Sequence, residues 1–201
     1  MLAGQLYMAS DETLMKENAK TRRLTRLLNA TTEEEIDKRN RLCKDLFGHI
    51  GESFWIEPPF RGNYANNISI GNNFYMNYDC IIMAVGKVTI GDNVFLAPRV
   101  SIYTAGHPID AESRNTLLEF GKPVIIGNNV WIGGNTVITP GVTIGDDVVI
   151  GAGSVVTKDI PSHTIAVGVP CKVIRDITDK TRPIGKNKCV VTKTIATSKS
   201  R

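Results

Sequence analysis

Between Ile126 and Asp159 the chain reads IGNNVW-IGGNTV-ITPGVT-IGDDVV-IGAGSV-VTKD, and this stretch decides the fold. Stepping by six from Ile126 lands on Ile132, Ile138, Ile144, Ile150 and Val156, so an aliphatic residue leads every hexad. Four places after each leader stand Val130, Thr136, Val142, Val148 and Ser154, all small or β-branched. Self-similarity at a fixed short period is the mark of a solenoid, and hexads mark a parallel β-helix. Each hexad supplies a short strand and a turn, and three hexads close one coil. Residues 18 apart then stack, Ile126 over Ile144. The leader points into a core too narrow for anything large at the second inward position. Gly and Asn at the corners supply the backbone angles that a sharp bend requires.

The same register runs upstream. Ile70, Met76 and Ile82 lead three hexads, two extra residues intervene, and Ile90, Leu96 and Ile102 lead three more. From about Tyr103 to Pro123 a polar stretch breaks the pattern. A coil of this kind has two open ends, which need caps. The N-terminal segment reads as helical. One helix opens at Ser10-Asp11-Glu12 and runs to about Asn29, with Leu14, Ala19, Leu24, Leu27 and Leu28 as its apolar face. A second starts at the capping-box pattern Thr32/Glu35 and runs to about Phe47, where Gly48 ends it. The expected organisation is a helical cap over 1–50, a left-handed parallel β-helix over 51–176 with loop 103–123, and a basic tail over 177–201. That tail is rich in Lys, Thr and Ser and reads as disordered.

The 201 residues carry 24 Lys and Arg against 20 Asp and Glu, a net charge of +4. Such a mild excess suits an anionic ligand as well as it suits a plain basic tail. No apolar run approaches the ~20 residues that span a bilayer, and the N-terminus lacks the pattern of a signal peptide, so the expected compartment is the cytoplasm. Cys43, Cys80, Cys171 and Cys189 match no zinc spacing and read as free thiols. Cys80 falls in the inward slot of the hexad led by Met76, a packing position where a thiol is inert. There is no Gly-rich nucleotide motif, and no nucleic-acid or membrane partner is expected.

The chain resembles the maltose and galactoside O-acetyltransferases of the hexapeptide-repeat acyltransferase superfamily. The likeness spans about residues 2–177. It is carried by LAGQLYMASDETL at the start, IEPPF (56–60), NFYMNYDC (73–80), IYTAGHPID (102–110), GKPVIIGNNVWIGG (121–134), PGVTIGDDVVIGAGSVVTKDIP (140–161) and VGVPCKVIR (167–175). The resemblance implies an O-acetyltransferase that moves acetyl from acetyl-CoA to a sugar hydroxyl by direct attack, without a metal. It also implies a homotrimer with active sites between subunits.

Acyl transfer to a hydroxyl needs a base, and His serves near neutral pH. By composition alone His49, His107 and His163 are equal candidates. The resemblance selects His107, in the run Thr104-Ala105-Gly106-His107-Pro108. It also suggests Asn77, or a backbone N–H near Gly133-Gly134, as stabiliser of the oxyanion, the alternative for Asn77 being a corner residue. Glu119 is placed to orient His107, or else faces solvent. For CoA the resemblance points to Trp131, Gly134, Ala152, Thr157, Lys158, Lys172 and Arg175. The acceptor would meet Asn63 and Asn77. Many relatives have an acid in the segment matching Phe60–Tyr64, where this chain has Asn63, and an Asp in that matching Met83–Val85, where it has none. Those departures open the alternative of a non-sugar alcohol or amino acid as acceptor. A zinc enzyme on the same fold would need three convergent His, which the dispersed His49, His107 and His163 do not offer. A non-catalytic scaffold is the remaining alternative, against which the intact His107 loop argues.

Overall fold

A computed structural model describes residues 1–178. The disorder expected of the tail falls on 179–201, outside the described residues.

The hexads wind into a three-faced prism of parallel strands. Face one stacks His49–Ile50, Ile68–Ile70, Val88–Ile90, Val124–Ile126 and Thr143–Ile144. Face two stacks Phe54–Ile56, Phe74–Met76, Phe95–Leu96, Trp131–Ile132, Val149–Ile150 and Thr164–Val167, and Lys172–Asp176 turns back antiparallel to close it. Face three stacks Phe60–Asn63, Cys80–Met83, Ser101–Tyr103, Val137–Ile138 and Val155–Val156. All twelve leaders from Ile70 to Val156 are buried, and so are the five small slots from Val130 to Ser154. The pairings Ile126↔Ile144, Ile132↔Ile150 and Ile138↔Val156 follow the 18-residue period.

The first coils differ. Ile50 pairs with Ile70 and Ile70 with Ile90, an advance of 20 residues. The register also extends upstream of Ile70, through Ile50, Ile56 and Gly62. Gly62 hides it, because that leader has no side chain. A Cβ there would lie 2.7 Å from the Ile82 carbonyl oxygen and 2.9 Å from Phe60, whose buried ring fills the core instead.

Corner residues are tied from coil to coil by short polar side chains. The backbone N–H of Asn72 donates to Asp92 Oδ1, that of Asp92 to Asn128 Oδ1, and that of Asn128 to Asp146 Oδ1, at 2.6–2.8 Å. The next residues along, Asn73, Asn93, Asn129 and Asp147, have φ of 52–56°, the left-handed region that Asn and Asp tolerate.

At the N-terminal end lie helices α1 (Glu12–Asn29) and α2 (Ile36–Leu46). Asp11 caps α1 by accepting from the N–H groups of Thr13 and Leu14. The buried stripe of α1 is Thr21, Leu24, Thr25 and Leu28, at the spacing i, i+3, i+4, i+7. Ala19 and Leu27, expected on that face, are exposed. Helix α2 starts one turn later than the capping-box pattern suggested. Glu35 does reach back to accept from the Thr32 N–H at 3.0 Å, but no side chain caps the helix. Buried Arg39 holds this cap to the coil by donating to Thr31 Oγ1 and to the Thr32 carbonyl, each at 3.0 Å, with Glu57 3.9 Å away.

Among the described residues no helix is long and apolar enough to cross a membrane.

Candidate functional site

The chain leaves the prism after Tyr103, at the corner between faces three and one, and rejoins it at Val124. Buried Thr104 fixes both ends of this excursion. Its hydroxyl donates to the Met83 carbonyl at 2.7 Å and accepts from the Gly86 N–H, while its carbonyl accepts from the Lys122 N–H. Between those ends Ala105–Gly106 pairs with Leu118–Gly121, and Tyr7–Met8 adds a third antiparallel strand. Helix α3 (Ala111–Asn115), capped by Asp110, crosses the tip.

His107 follows the Ala105–Gly106 strand directly. Its Nδ1 lies 3.1 Å from the Leu118 carbonyl oxygen. A carbonyl can only accept, so Nδ1 carries a proton, and in the neutral ring Nε2 is the basic nitrogen. Glu119 Oε1 stands 4.0 Å from that Nε2. The other carboxylate oxygen accepts from the Tyr7 phenol at 2.6 Å. Burial first, then the Glu119 carboxylate, pushes the Tyr7 phenol far above its ordinary range, so it remains a donor. The chain Tyr7–Glu119–His107 thus fixes the imidazole through its Nδ1–H and sets a carboxylate beside Nε2.

His107 lines a cavity of about 730 Å³ together with Asn63, Tyr64, Leu117 and Glu119 and, from the N-terminal segment, Met8, Met15, Asn18 and Arg22. Two amide oxygens in this lining, Asn18 Oδ1 and Asn63 Oδ1, are buried and make no hydrogen bond to the described residues. Buried acceptors without partners are costly, and O–H donors would satisfy them. The sequence reading found His107, Glu119 and Asn63. It missed Tyr7, Asn18 and Arg22, because it assigned the N-terminal segment to capping alone. Nothing local signals the Tyr7↔Glu119 pairing across 112 residues.

Of the remaining candidates, Asn77, Gly133, Gly134 and Ala152 share another corner. The N–H of Asn77 donates to the Leu96 carbonyl, that of Ala97 to Ile132, and that of Gly133 to Ile150, a single column between faces two and three. Asn77 Oδ1 accepts from the Tyr78 N–H at 2.8 Å. Gly134 and Ala152, 18 apart, occupy equivalent positions on successive coils, and among the described residues neither backbone N–H donates to a protein acceptor. Exposed Trp131 stands out from face two, on the strand that ends at this corner. Lys172 and Arg175 project, exposed, from the closing strand of that face. Thr157 and Lys158, also exposed, follow Val155–Val156 of face three and so lie at the corner between faces three and one, the one from which the His107 excursion leaves. Free backbone donors, an exposed aromatic and the cations Lys172 and Arg175 suit the amides, the adenine and the phosphates of CoA. Asn77 is not in the lining of the His107 cavity.

Cys80 is buried and donates to the Ala97 carbonyl, and burial pushes its thiol up to about 11, so it is no nucleophile at neutral pH. Among the described residues no three His, Cys, Asp or Glu side chains converge as a metal site.

A hexad-built β-helix with these two corners defines the class, an acetyl-CoA-dependent acyltransferase of the hexapeptide-repeat kind. Residues 1–51 match the maltose acetyltransferase hexapeptide capping motif, and residues 123–158 match the bacterial transferase hexapeptide model of six repeats. The galactoside O-acetyltransferase of Escherichia coli is 47% identical over 178 residues, 89% of this chain and 88% of that protein. The crystal structure of a maltose O-acetyltransferase from Clostridium difficile 630 superposes with a TM-score of 0.88 at 57% identity, covering 89% of this chain and 95% of the other. A galactoside acetyltransferase in complex with coenzyme A gives a TM-score of 0.87 at 47% identity, covering 89% of each chain. The chain belongs to the maltose and galactoside O-acetyltransferase family.

Proposed function

We propose that this enzyme acetylates a sugar hydroxyl, with His107 as general base. The observation that carries the reading is the cavity that His107, its Nδ1 held by the Leu118 carbonyl, shares with Asn18 and Asn63, each with an unpartnered buried amide oxygen. Acetyl-CoA supplies the acetyl group as an activated thioester. Asn18 and Asn63 accept from acceptor hydroxyls and orient the sugar. Asn63 keeps this capacity although it is an amide where many relatives have an acid. His107 Nε2 takes the proton of the attacking hydroxyl. Glu119 stabilises the imidazolium so formed and keeps the ring oriented, and Tyr7 holds Glu119 in place. The proton then passes from Nε2 to the departing thiolate, which restores the neutral ring. Asn77 and the N–H groups near Gly133-Gly134 stabilise the oxyanion, and Asn77 also contacts the acceptor. Trp131, Gly134, Ala152, Thr157, Lys158, Lys172 and Arg175 hold CoA.

The His107 corner and the Asn77 corner lie at opposite edges of face three, and a homotrimer brings them together by setting one prism's base against its neighbour's CoA corner. Residues 1–50 cap this assembly and close the acceptor cavity, 51–176 form the catalytic coil, and 177–201 are a basic tail. Buried free thiols at Cys43, Cys80 and Cys171 suit the reducing cytoplasm.

The test is CoA release from acetyl-CoA over a panel of glucosides, galactosides, maltose, amino sugars and chloramphenicol-like alcohols. Turnover concentrated on glycosides supports the sugar reading. Turnover confined to a non-sugar alcohol or amino acid overturns it while leaving acetyl transfer in place.

A further inference from the structure

A second cavity, of about 440 Å³, opens next to the acceptor cavity and is lined by Arg22, Thr25, Arg26, Asn29, Ala30, Arg61 and Gly62. The two meet at Arg22, which lines both, and along the strand Phe60–Asn63, which gives Arg61 and Gly62 to one and Asn63 to the other. Three guanidinium groups and no carboxylate form this lining. Among the described residues none of the three guanidinium groups makes an ion pair or a hydrogen bond. The flanking salt bridges use Lys16, Lys38, Arg39 and Lys44 instead.

The cluster is built into the fold. Arg22, Thr25, Arg26 and Asn29 share one face of α1 at the spacing i, i+3, i+4, i+7. Asn29 pins the end of that helix to the Arg61 strand by two hydrogen bonds, donating to the Phe60 carbonyl at 2.8 Å and accepting from the Phe60 N–H at 2.9 Å. One turn before Thr25, Thr21 accepts from the Ala65 N–H at 3.1 Å. The helix therefore cannot slide, and Arg22 and Arg26 are held opposite Arg61. Thr25, only 8% exposed, carries a hydroxyl oxygen that is buried without a hydrogen-bond partner in the same lining. A hydroxyl beside clustered guanidinium groups is the donor set that grips an anionic oxo group.

We propose that this cavity is an anion subsite continuous with the acceptor cavity, and that the acceptor is a sugar bearing a phosphate or carboxylate. The inference rests on the reading that the 730 Å³ cavity takes the acceptor. In it, the hydroxyl to be acetylated lies at His107 and the anionic substituent lies among Arg22, Arg26 and Arg61. Arg22, shared by both cavities, spans the junction.

The test compares kcat/KM for methyl glucoside, glucose 6-phosphate and glucuronate, in the wild type and in the double variant Arg26→Gln/Arg61→Gln. Charge-assisted contacts predict that an anionic acceptor exceeds the neutral one by about tenfold or more in the wild type, and that the ratio falls to about one in the double variant. Salt lowers the wild-type ratio, since the three arginines are exposed to screening. Preference for the phosphate or for the carboxylate names the group. A wild-type ratio of one or less, or a ratio the double variant leaves unchanged, overturns the proposal. If no sugar is turned over at all, the acceptor reading fails first, and calorimetric titration with inorganic phosphate then decides the subsite. Binding by the wild type and none by the double variant keeps an anion site. Binding by neither, or by both alike, removes it.

Discussion

The coils from Ile126 to Val156 and the excursion from Tyr103 to Pro123 are consecutive in the chain and opposite in character. The coils repeat one solution, with every leader buried and every strand paired at a fixed step. The excursion repeats nothing. It leaves Ile109 and Leu117 largely exposed, and it borrows its third strand from the chain's first residues. Repetition gives stability, because each coil buries its neighbour's core. In the proposed mechanism the break in repetition carries the chemistry, because there His107 stands clear of the stack with Leu118 and Glu119 beside it. The scaffold holds the excursion by its two ends, through Thr104, and leaves the middle free to carry function.

The largest expected effect separates these regions by activity. His107→Ala should lower kcat by about three orders of magnitude, the range of a lost general base, while the melting temperature stays close to wild type. Steady-state kinetics beside a thermal melt check both halves, and a melt that falls along with kcat would erase the contrast.

The converse change lies in the coil. Ile132→Ala removes fully buried methylenes between Leu96 and Ile150 and should cost about 3 kcal/mol, whereas Leu117→Ala in the excursion should stay within about 0.5 kcal/mol. Urea unfolding of the two variants measures the difference, and equal losses would mean that the excursion is as tightly packed as the prism.

The smallest effect concerns pH. Burial pushes the Cys43 thiol from 9.0 up to about 12, against the pull of Arg39, and the Cys80 thiol from 9.0 to about 11. Folded-state values above the unfolded one mean that these thiols support the fold fully below pH 9 and withdraw that support as pH climbs through 11 to 12. Unfolding midpoints measured from pH 8 upward should decline in that window, less steeply in Cys80→Ser than in the wild type.

The two regions also differ in how far the sequence disclosed them. Inward positions of a prism admit only aliphatic leaders and small partners, so Ile126 to Val156 announce their burial by spacing alone. The first coil escaped notice because Gly62 holds a leader position and Phe60 fills its space. Composition left three histidines open, and the motif around His107 chose among them. The other side of the cavity was not legible. Tyr7, Asn18 and Arg22 come to the site through pairings between the chain's start and residues more than thirty positions on, and such contacts carry no period. Asn77, by contrast, was named by the motif around it, and its corner is set by coil stacking, while its partner corner is supplied by another copy in the proposed trimer.

That division between corners is the central claim, and subunit mixing tests it most directly. His107→Ala and Asn77→Ala are each purified, shown to be nearly inactive, then unfolded and refolded together in equal amounts. If each active centre takes its base from one subunit and its CoA corner from the next, random trimers regain about one quarter of the wild-type rate, since that share of the interfaces pairs two intact halves. Activity no greater than the average of the two parents would contradict the account, because it would place both corners' work within a single chain.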